Sequence, residues 1–241
     1  MNQPLGQKLR EQETAILESV LGNMFGYFLV MIDPVWLSGK LFSSSRVLNN
    51  FTQSLLPAEI LPEVSIQASC EALPWQTDSV DSFVLPHTLE LANDPYQLLR
   101  EIDRCLIPEG NLVILGFNPI SLWGIRHLFR RFSNTVPWSL PFMRLSRVKD
   151  WLSLLGYDFI RQEYYFPVLP GPSATSVASM RVLKKLHSSR WPLVSGCYLL
   201  VARKRLTTIT PIKPRWRPQR SLVSVGLAER SHRDRIHRDR N

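Results

Sequence analysis

Several features that would assign a protein to a familiar class are scarce in this sequence of 241 residues. Its three cysteines are far apart and form no CxxC pair, which argues against a zinc site or a redox dithiol. The longest apolar run, from Phe25 to Ile32, is too short to cross a bilayer. The polar N-terminus lacks the apolar core of a signal peptide. We therefore expect a cytoplasmic protein that uses no metal.

An excess of positive charge is also missing from most of the chain. The whole protein has 29 Lys and Arg against 20 Asp and Glu, which gives a net charge of +9. Residues 203–241 contain 12 basic and 3 acidic residues, which leaves 29 − 12 = 17 basic and 20 − 3 = 17 acidic residues in 1–202. A neutral body argues against a globally basic nucleic-acid-binding domain. We predict that residues 204–241, the basic tail, are disordered. The tail either contacts RNA or an anionic membrane surface through its charge, or is a solvated extension without function.

What the body does contain is an apolar fraction sufficient for a core, arranged as alternating strands and helices. The N-terminal segment 1–25 is predicted to carry an amphipathic helix over 7–21. Apolar or alternating runs predict strands at 27–32, 46–49, 64–70, 80–85 and 111–117. A helix is expected to start at Asp94-Pro95, because Asp can cap the first turn and Pro fits the first helical position.

Later elements complete the predicted domain, residues 26–203. A helix is predicted from Ser146 to Leu155, and late strands at 157–166 and 195–203. Residues 122–144, which include an amphipathic helix at 122–132, are expected to form an insertion or lid. Strands that alternate with helices predict a mostly parallel sheet with helices on both faces. Ligands of such sheets bind outside the carboxyl ends of the strands.

The most specific pattern spans Glu71–Phe117. It has an acid–Ala–Leu–Pro–aromatic turn, a D-S-V-D turn, a strand, H-x-L-E, an L-R-E-I helix, P-x-G and a final apolar strand. In this order the segment resembles the type-11 class I S-adenosylmethionine-dependent methyltransferase domain. The resemblance implies a Rossmann-like fold with an antiparallel late hairpin, the cofactor S-adenosyl-L-methionine, and methyl transfer to an acceptor that no motif identifies. Such an enzyme mainly positions two reactants, and it needs neither a metal nor a nucleophile.

The resemblance also implies cofactor-binding positions. They are Asp33, Asn50, Glu71, Ala72, Leu73 and His87. Asn50 would be a neutral partner for the ribose, and the Ala72-Leu73 backbone would flank the adenine. His87 would lie at the methionine end of the cofactor, or it is a structural histidine bonded within its turn. Glu90 is expected to be a structural or positioning group.

Substrate contacts are expected after strand five, at Asn118, Trp123 and Arg126. The helix at 122–132 is either a lid or an ordinary amphipathic helix. In place of the family's glycine-rich D-x-G-x-G loop, the sequence has Asp33-Pro34-Val35-Trp36. The alternative prediction is therefore a methyltransferase fold that no longer catalyses and serves as a binding or scaffolding module.

Overall fold

The computed structural model describes residues 4–33, 45–55, 66–69, 71–122, 124, 140–167 and 193–205. Contacts divide the chain into two units, Met1–Leu206 and Thr207–Asn241, and the described residues all belong to the first. Lys204, predicted as the first residue of the disordered tail, is instead the last residue of a strand. The rest of the basic tail from residue 206 and most of the predicted lid, including Trp123 and Arg126, lie outside the described residues.

One sheet of seven strands forms the centre of the described structure. The strands are β1 (Phe25–Ile32), β2 (Arg46–Ser54), β3 (Ile66–Gln67), β4 (Val80–Pro86), β5 (Leu106–Phe117), β6 (Tyr157–Pro167) and β7 (Ser195–Lys204). Their spatial order is β3-β2-β1-β4-β5-β7-β6. The neighbours from β3 to β5 pair in parallel, whereas β7 is antiparallel to both β5 and β6. The predicted parallel sheet with a late antiparallel hairpin is confirmed.

Four helices occur in the described part of the chain: α1 (Pro4–Leu21), α2 (Thr88–Leu91), α3 (Pro95–Cys105) and α4 (Leu145–Leu154). The start of α3 follows its sequence, because the Asp94 carboxylate accepts hydrogen bonds from the amides of Tyr96 and Gln97. None of these helices combines the length and apolar character that a bilayer crossing requires.

The sheet buries apolar side chains on both faces, as parallel sheets do. On one face α1 packs against residues of β1, β5 and β7 such as Leu29, Val113 and Leu199. On the other face α3 and α4 pack against alternate residues of the same strands, such as Val30, Ile114 and Leu200. We call these the α1 face and the α3 face. Alternation along each strand assigns successive residues to opposite faces.

The largest differences from the predicted boundaries are in β2, β3 and β5. β2 runs to Ser54, five residues beyond the predicted end at residue 49, because its polar residues hide the strand pattern. β3 contains only two residues, fewer than predicted. β5 begins directly after α3 at Leu106, although Pro108 and Gly110 suggested a loop there.

Candidate functional site

The strand order fixes where a ligand crevice can form. After β1 the chain proceeds to β2 and β3 on one side, whereas after β4 it proceeds to β5 on the other. The topological switch point therefore lies between the carboxyl ends of β1 and β4, where ligands of open α/β sheets bind. Asp33 follows β1 and His87 follows β4, and both have left-handed backbone, with φ of 53° and 59°. The Thr88 hydroxyl donates to the Ile32 carbonyl oxygen at 2.6 Å and ties the two strand ends together.

Asp33 holds the end of β2 in place from the end of β1. Its Oδ1 accepts hydrogen bonds from the Ser54 hydroxyl at 2.7 Å and from the Leu55 amide at 2.9 Å, and the side chain is fully buried. Its own amide donates to the Gln53 carbonyl oxygen at 2.8 Å. The predicted site residue Asp33 is thus at the crevice, where it fixes the backbone that follows β2.

Asn50 lies inside β2, where it pairs with Leu29 of β1. Its Nδ2 donates to the Val47 carbonyl oxygen at 3.4 Å. Four residues separate Asn50 from the strand end at Ser54, which is about 13 Å along an extended chain. The structure therefore does not bring Asn50 to the crevice, and the residues that follow β2 there are Ser54 and Leu55.

The predicted adenine turn, residues 71–75, is joined to α3 by hydrogen bonds to two charged residues of that helix, Glu101 and Arg104. Glu101 and Arg104 lie 2.9 Å apart, and the Arg104 guanidinium holds the pKa of the Glu101 carboxyl below its ordinary value. The Leu73 amide donates to Glu101 Oε2 at 3.2 Å, and the Leu73 and Trp75 carbonyl oxygens accept from Arg104, each at 3.1 Å. The sequence analysis missed both charged residues, although a Glu–Arg pair three residues apart on a helix was a visible signal.

This fastening determines what the turn can offer a ligand. Leu73 is buried and both of its backbone polar groups are used, whereas Glu71 and Ala72 are exposed. The Ala72 amide approaches the Ser69 carbonyl oxygen at 3.4 Å. The turn can therefore supply a rigid wall beside a flat ring, with Glu71 and Ala72 at its surface.

The side-chain amide of Gln53, near the end of β2, indicates whether this part of the crevice suits an adenosyl cofactor. The Trp75 indole donates to Gln53 Oε1 at 2.6 Å, which fixes the amide orientation. Gln53 Nε2 is then a buried donor with no hydrogen-bond partner among the described residues. An unsatisfied buried donor costs about 1–3 kcal/mol, and a hydroxyl or ring nitrogen of a nucleoside can satisfy it. The residues around β2 and the 71–75 turn fit the adenosine part of S-adenosylmethionine.

His87, at the other side of the switch point, is fully buried and bonded to α1. Its Nε2 lies 2.8 Å from Glu13 Oε1, and the Tyr165 hydroxyl donates to the same oxygen at 3.0 Å. The His87 ring also packs on Phe117, with ring centroids 4.0 Å apart. Burial lowers the pKa of His87, but the Glu13 carboxylate outweighs it, so the net pKa lies above the ordinary value. His87 is therefore held by a hydrogen bond to another element, α1, in addition to the nearby Glu90 carboxylate, whose Oε1 is 4.0 Å from Nδ1.

Glu13 is the functional candidate that the sequence analysis missed. It occupies the buried stripe of α1, four residues after Leu9 and four before Leu17, where the pattern calls for an apolar residue. An acid at an apolar position of an amphipathic helix was the available signal. Its partners could not be read from the sequence, because they lie 74 and 152 residues away.

Glu13, His87 and Cys197 place an oxygen, a nitrogen and a sulfur atom within 4.8 Å of one another. Ligand atoms around a zinc ion stand roughly 3.3–3.8 Å apart, whereas Glu13 and His87 are in hydrogen-bond contact at 2.8 Å. Burial also raises the pKa of the Cys197 thiol well above its ordinary value. The geometry is that of a buried hydrogen-bond network.

Two further predicted residues fix the turns beside the crevice. Glu90 Oε1 accepts from the Phe117 amide at 2.8 Å, and burial raises the pKa of this carboxyl. Asn118 Nδ2 donates to the Ser195 carbonyl oxygen at 3.0 Å, and its Oδ1 accepts from the Ile120 amide at 3.1 Å. The side chain of Asn118 thus joins the end of β5 to the start of β7. Its contact with a substrate stays a prediction.

Comparisons with known proteins agree with this geometry. Residues 44–114 match the family model described as a methyltransferase domain. The uncharacterized protein YafS of Escherichia coli K12 is 34% identical over 225 residues, which cover 92% of this chain and 88% of that protein.

Two solved structures show the same fold. One is an S-adenosylmethionine-dependent methyltransferase from Archaeoglobus fulgidus, with 15% identity, a TM-score of 0.58, and coverage of 81% of this chain and 94% of that one. The other, an S-adenosylmethionine-dependent methyltransferase from Mesorhizobium loti, has 16% identity, a TM-score of 0.55, and coverage of 79% and 96%. The chain belongs to the class I S-adenosylmethionine-dependent methyltransferases, with S-adenosylmethionine as its cofactor.

Proposed function

We propose that the enzyme binds S-adenosylmethionine across the carboxyl ends of β1, β2 and β4, and orients it toward an acceptor that enters beside β5. The observation that carries this proposal is the pair of left-handed turns at Asp33 and His87, which flank the switch point. The bound cofactor supplies an electrophilic methyl group on a sulfonium. The contribution of the chain is to hold the two reactants in line and close together.

The described residues divide this task between two sides. On the nucleoside side, Asp33 fixes the Leu55 backbone, Gln53 offers a buried donor, and Ala72 and Leu73 form a wall. On the methionine side, the backbone at His87 is fixed by the contacts of its imidazole. Glu71 stands at the open surface of the turn, within reach of solvent-side groups of a nucleoside.

A matched pair of substitutions tests this placement by calorimetric titration with S-adenosylmethionine. Asp33→Asn should weaken binding at least about tenfold, because an amide is a poorer acceptor for the Leu55 amide and Ser54 hydroxyl. Asp81→Asn is the control. Asp81 Oδ2 accepts from the Tyr27 and Phe28 amides, at the opposite end of β1.

Circular dichroism should confirm that both variants fold before their affinities are compared. Equal affinities for the two variants would contradict the placement of the site. If the wild-type protein binds neither S-adenosylmethionine nor S-adenosylhomocysteine, the alternative of a non-catalytic binding module takes its place. No observation in the described part of the chain favours that alternative.

We propose from the sequence that the acceptor meets Asn118, Trp123 and Arg126, at the start of the predicted lid. Arg126 favours an anionic acceptor and Trp123 an aromatic one. Arg126→Ala should then raise the KM for the acceptor and leave the Kd for S-adenosylmethionine unchanged. A changed cofactor affinity with an unchanged acceptor KM would contradict this assignment.

We propose further that the enzyme acts in the cytoplasm and that its basic tail contacts RNA or an anionic membrane. The support for the cytoplasm is that Cys105 and Cys197 are both free thiols. The support for the contact is the tail's own charge. Arg203, Lys204 and Arg205 belong to β7 and its end, so residues 206–241 hold 12 − 3 = 9 basic and 3 acidic residues.

A protein truncated after Lys204 or Arg205 should therefore lose its binding to single-stranded RNA or to phosphatidylserine vesicles at low salt. It should keep its affinity for S-adenosylmethionine. Undiminished binding to both would place the contact elsewhere on the protein.

A further inference from the structure

The N-terminal helix carries one charged residue on its buried face. The other buried positions of α1, such as Leu9, Leu17 and Leu21, face the apolar core of the α1 face. Glu13 interrupts this stripe and is 0% exposed. Burying a carboxylate among apolar side chains is costly unless it is paired and hydrogen-bonded. The position therefore requires partners, and His87 and Tyr165 are among them.

Those partners connect α1 to the switch point. Glu13 Oε1 contacts His87 at the end of β4 and accepts the Tyr165 hydroxyl from β6. The His87 ring is enclosed, with Phe117 against it and Glu90 Oε1 4.0 Å from Nδ1. Among the described residues, the titratable groups that act on the His87 imidazole are Glu13 of α1 and Glu90 of α2. Tyr165 of β6 bonds to the same Glu13 oxygen, and the Cys197 sulfur of β7 lies within 4.8 Å of the Glu13 and His87 ligand atoms.

His87 itself has backbone that most residues avoid. Its φ of 59° lies in the left-handed region, and its amide donates to the Leu115 carbonyl oxygen at 2.9 Å. A non-glycine residue keeps such a conformation only where its surroundings hold it there. The contacts of the imidazole with Glu13 and Phe117 supply that restraint. The conformation of the crevice at β4 is thus coupled to the docking of α1.

We propose that Glu13 is a positioning residue for methyl transfer: through its buried ion pair with His87, it docks α1 beside the switch point and holds the turn after β4 in its binding conformation. This inference rests on the proposed binding of S-adenosylmethionine in that crevice. Glu13 does not touch the reacting atoms in this scheme. It acts through His87, whose proton makes the contact an ion pair.

The test compares Glu13→Gln with Glu18→Gln in the full chain. Both changes remove one negative charge from α1, but Glu18 is exposed to solvent whereas Glu13 is buried. In Glu13→Gln, hydrogen exchange of the amides of residues 6–21 should accelerate at least about tenfold, while those of α3 stay protected. Glu18→Gln should leave both regions unchanged.

A pH profile of cofactor affinity separates positioning from simple packing. With Glu13 in place, the pKa of His87 is raised, so the ion pair persists to higher pH. In Glu13→Gln, S-adenosylmethionine binding should begin to weaken at a pH lower by about one unit or more, since the imidazole loses its carboxylate partner. A packing role alone would lower affinity equally at every pH. NMR titration of the His87 ring should show the same displacement.

Tyr165→Phe provides a milder variant if Glu13→Gln does not fold. It removes only the hydroxyl that donates to Glu13, and it should shift α1 exchange and the pH profile in the same direction by a smaller amount. If wild-type protein binds S-adenosylmethionine and both variants keep its exchange pattern and pH profile, the inference is overturned. If wild-type protein does not bind the cofactor, the proposed function fails first, and the exchange experiment still reports whether Glu13 docks α1.

Discussion

The two faces of the sheet are buried by different means. On the α3 face, α3 contributes Leu98, Leu99, Ile102 and Cys105, each fully buried, to a continuous apolar core. On the α1 face, the core is interrupted by Glu13 and His87, which are equally buried but form a polar contact. Apolar packing tolerates small changes of shape, whereas a buried ion pair is sensitive to the loss of either partner. The face that carries the polar contact is therefore the one whose integrity depends on single residues.

The largest effect is expected when the polar contact is broken. Glu13→Ala should lower the free energy of unfolding by about 3–5 kcal/mol, because His87 remains buried without its carboxylate. Urea denaturation measures this change. Glu18→Ala, an exposed position of the same helix, should stay within about 0.5 kcal/mol of wild type. Similar losses in the two variants would mean that the α1 face does not depend on this pair.

A smaller loss of stability is expected when Arg104 of α3, which donates to the adenine turn, is replaced. Arg104→Met removes the donors to the Leu73 and Trp75 carbonyl oxygens and should cost about 1.5–3 kcal/mol. It should also weaken S-adenosylmethionine binding, because the turn loses its rigidity. Arg100→Met, exposed on the same helix, serves as the control in both assays. An unchanged cofactor affinity in Arg104→Met would separate the turn from the site.

The α1 face should also make stability depend on pH. The pKa of His87 is raised in the folded protein, so the folded state binds this proton more tightly than the unfolded state does. The contribution of this proton to the free energy of unfolding is complete below about pH 6.5. It is lost as pH rises through the raised pKa, at up to about 1.4 kcal/mol per pH unit. The raised pKa of Glu90 also makes stability fall as pH rises, in this case above about pH 4.5.

Unfolding measured in urea from pH 6 to pH 9 should therefore show falling stability, and His87→Gln should flatten that fall. A rise of stability over this range would contradict the assigned directions of both shifts.

The smallest effect is expected within the apolar core. Ile102→Val removes one buried methylene from the α3 face and should cost about 0.5–1.5 kcal/mol. It should leave the pH dependence of stability unchanged, because the substitution removes only an apolar group and no ionisable one. A pH-dependent loss in Ile102→Val would show that the two faces are coupled more tightly than their contacts indicate.

The sequence predicted those parts of the fold whose signals are local. The Asp94-Pro95 start identified α3, and the apolar run at 111–117 identified the core of β5. β2 was underestimated because Asn49 and Asn50 interrupt its apolar pattern, although pairing with β1 carries the strand to Gln53 and pairing with β3 carries it to Ser54. Tertiary pairing thus extends a strand beyond what its composition suggests.

The candidate site was predictable to a similar depth. Asp33 and His87 follow strands that the sequence identified, so their positions at the switch point followed from topology. Their contacts did not, because Ser54, Glu13 and Tyr165 come from other elements of the chain. Asn50 was predicted to follow the end of β2, but in the structure that strand continues to Ser54. Which atoms meet in a crevice depends on long-range packing that no local pattern records.

The order in which the chain leaves the ribosome gives the Glu13 contact a further consequence. α1 is synthesised before every strand of the sheet, but the hydroxyl that donates to Glu13 lies 152 residues later, in Tyr165. Strand β7, which pairs with both β5 and β6, ends only at Lys204. Contacts of such sequence separation are slow to form, because a long loop must close first. Helix α1 should therefore be among the last elements of the domain to reach its place, and it should complete the crevice only after synthesis of the domain has ended.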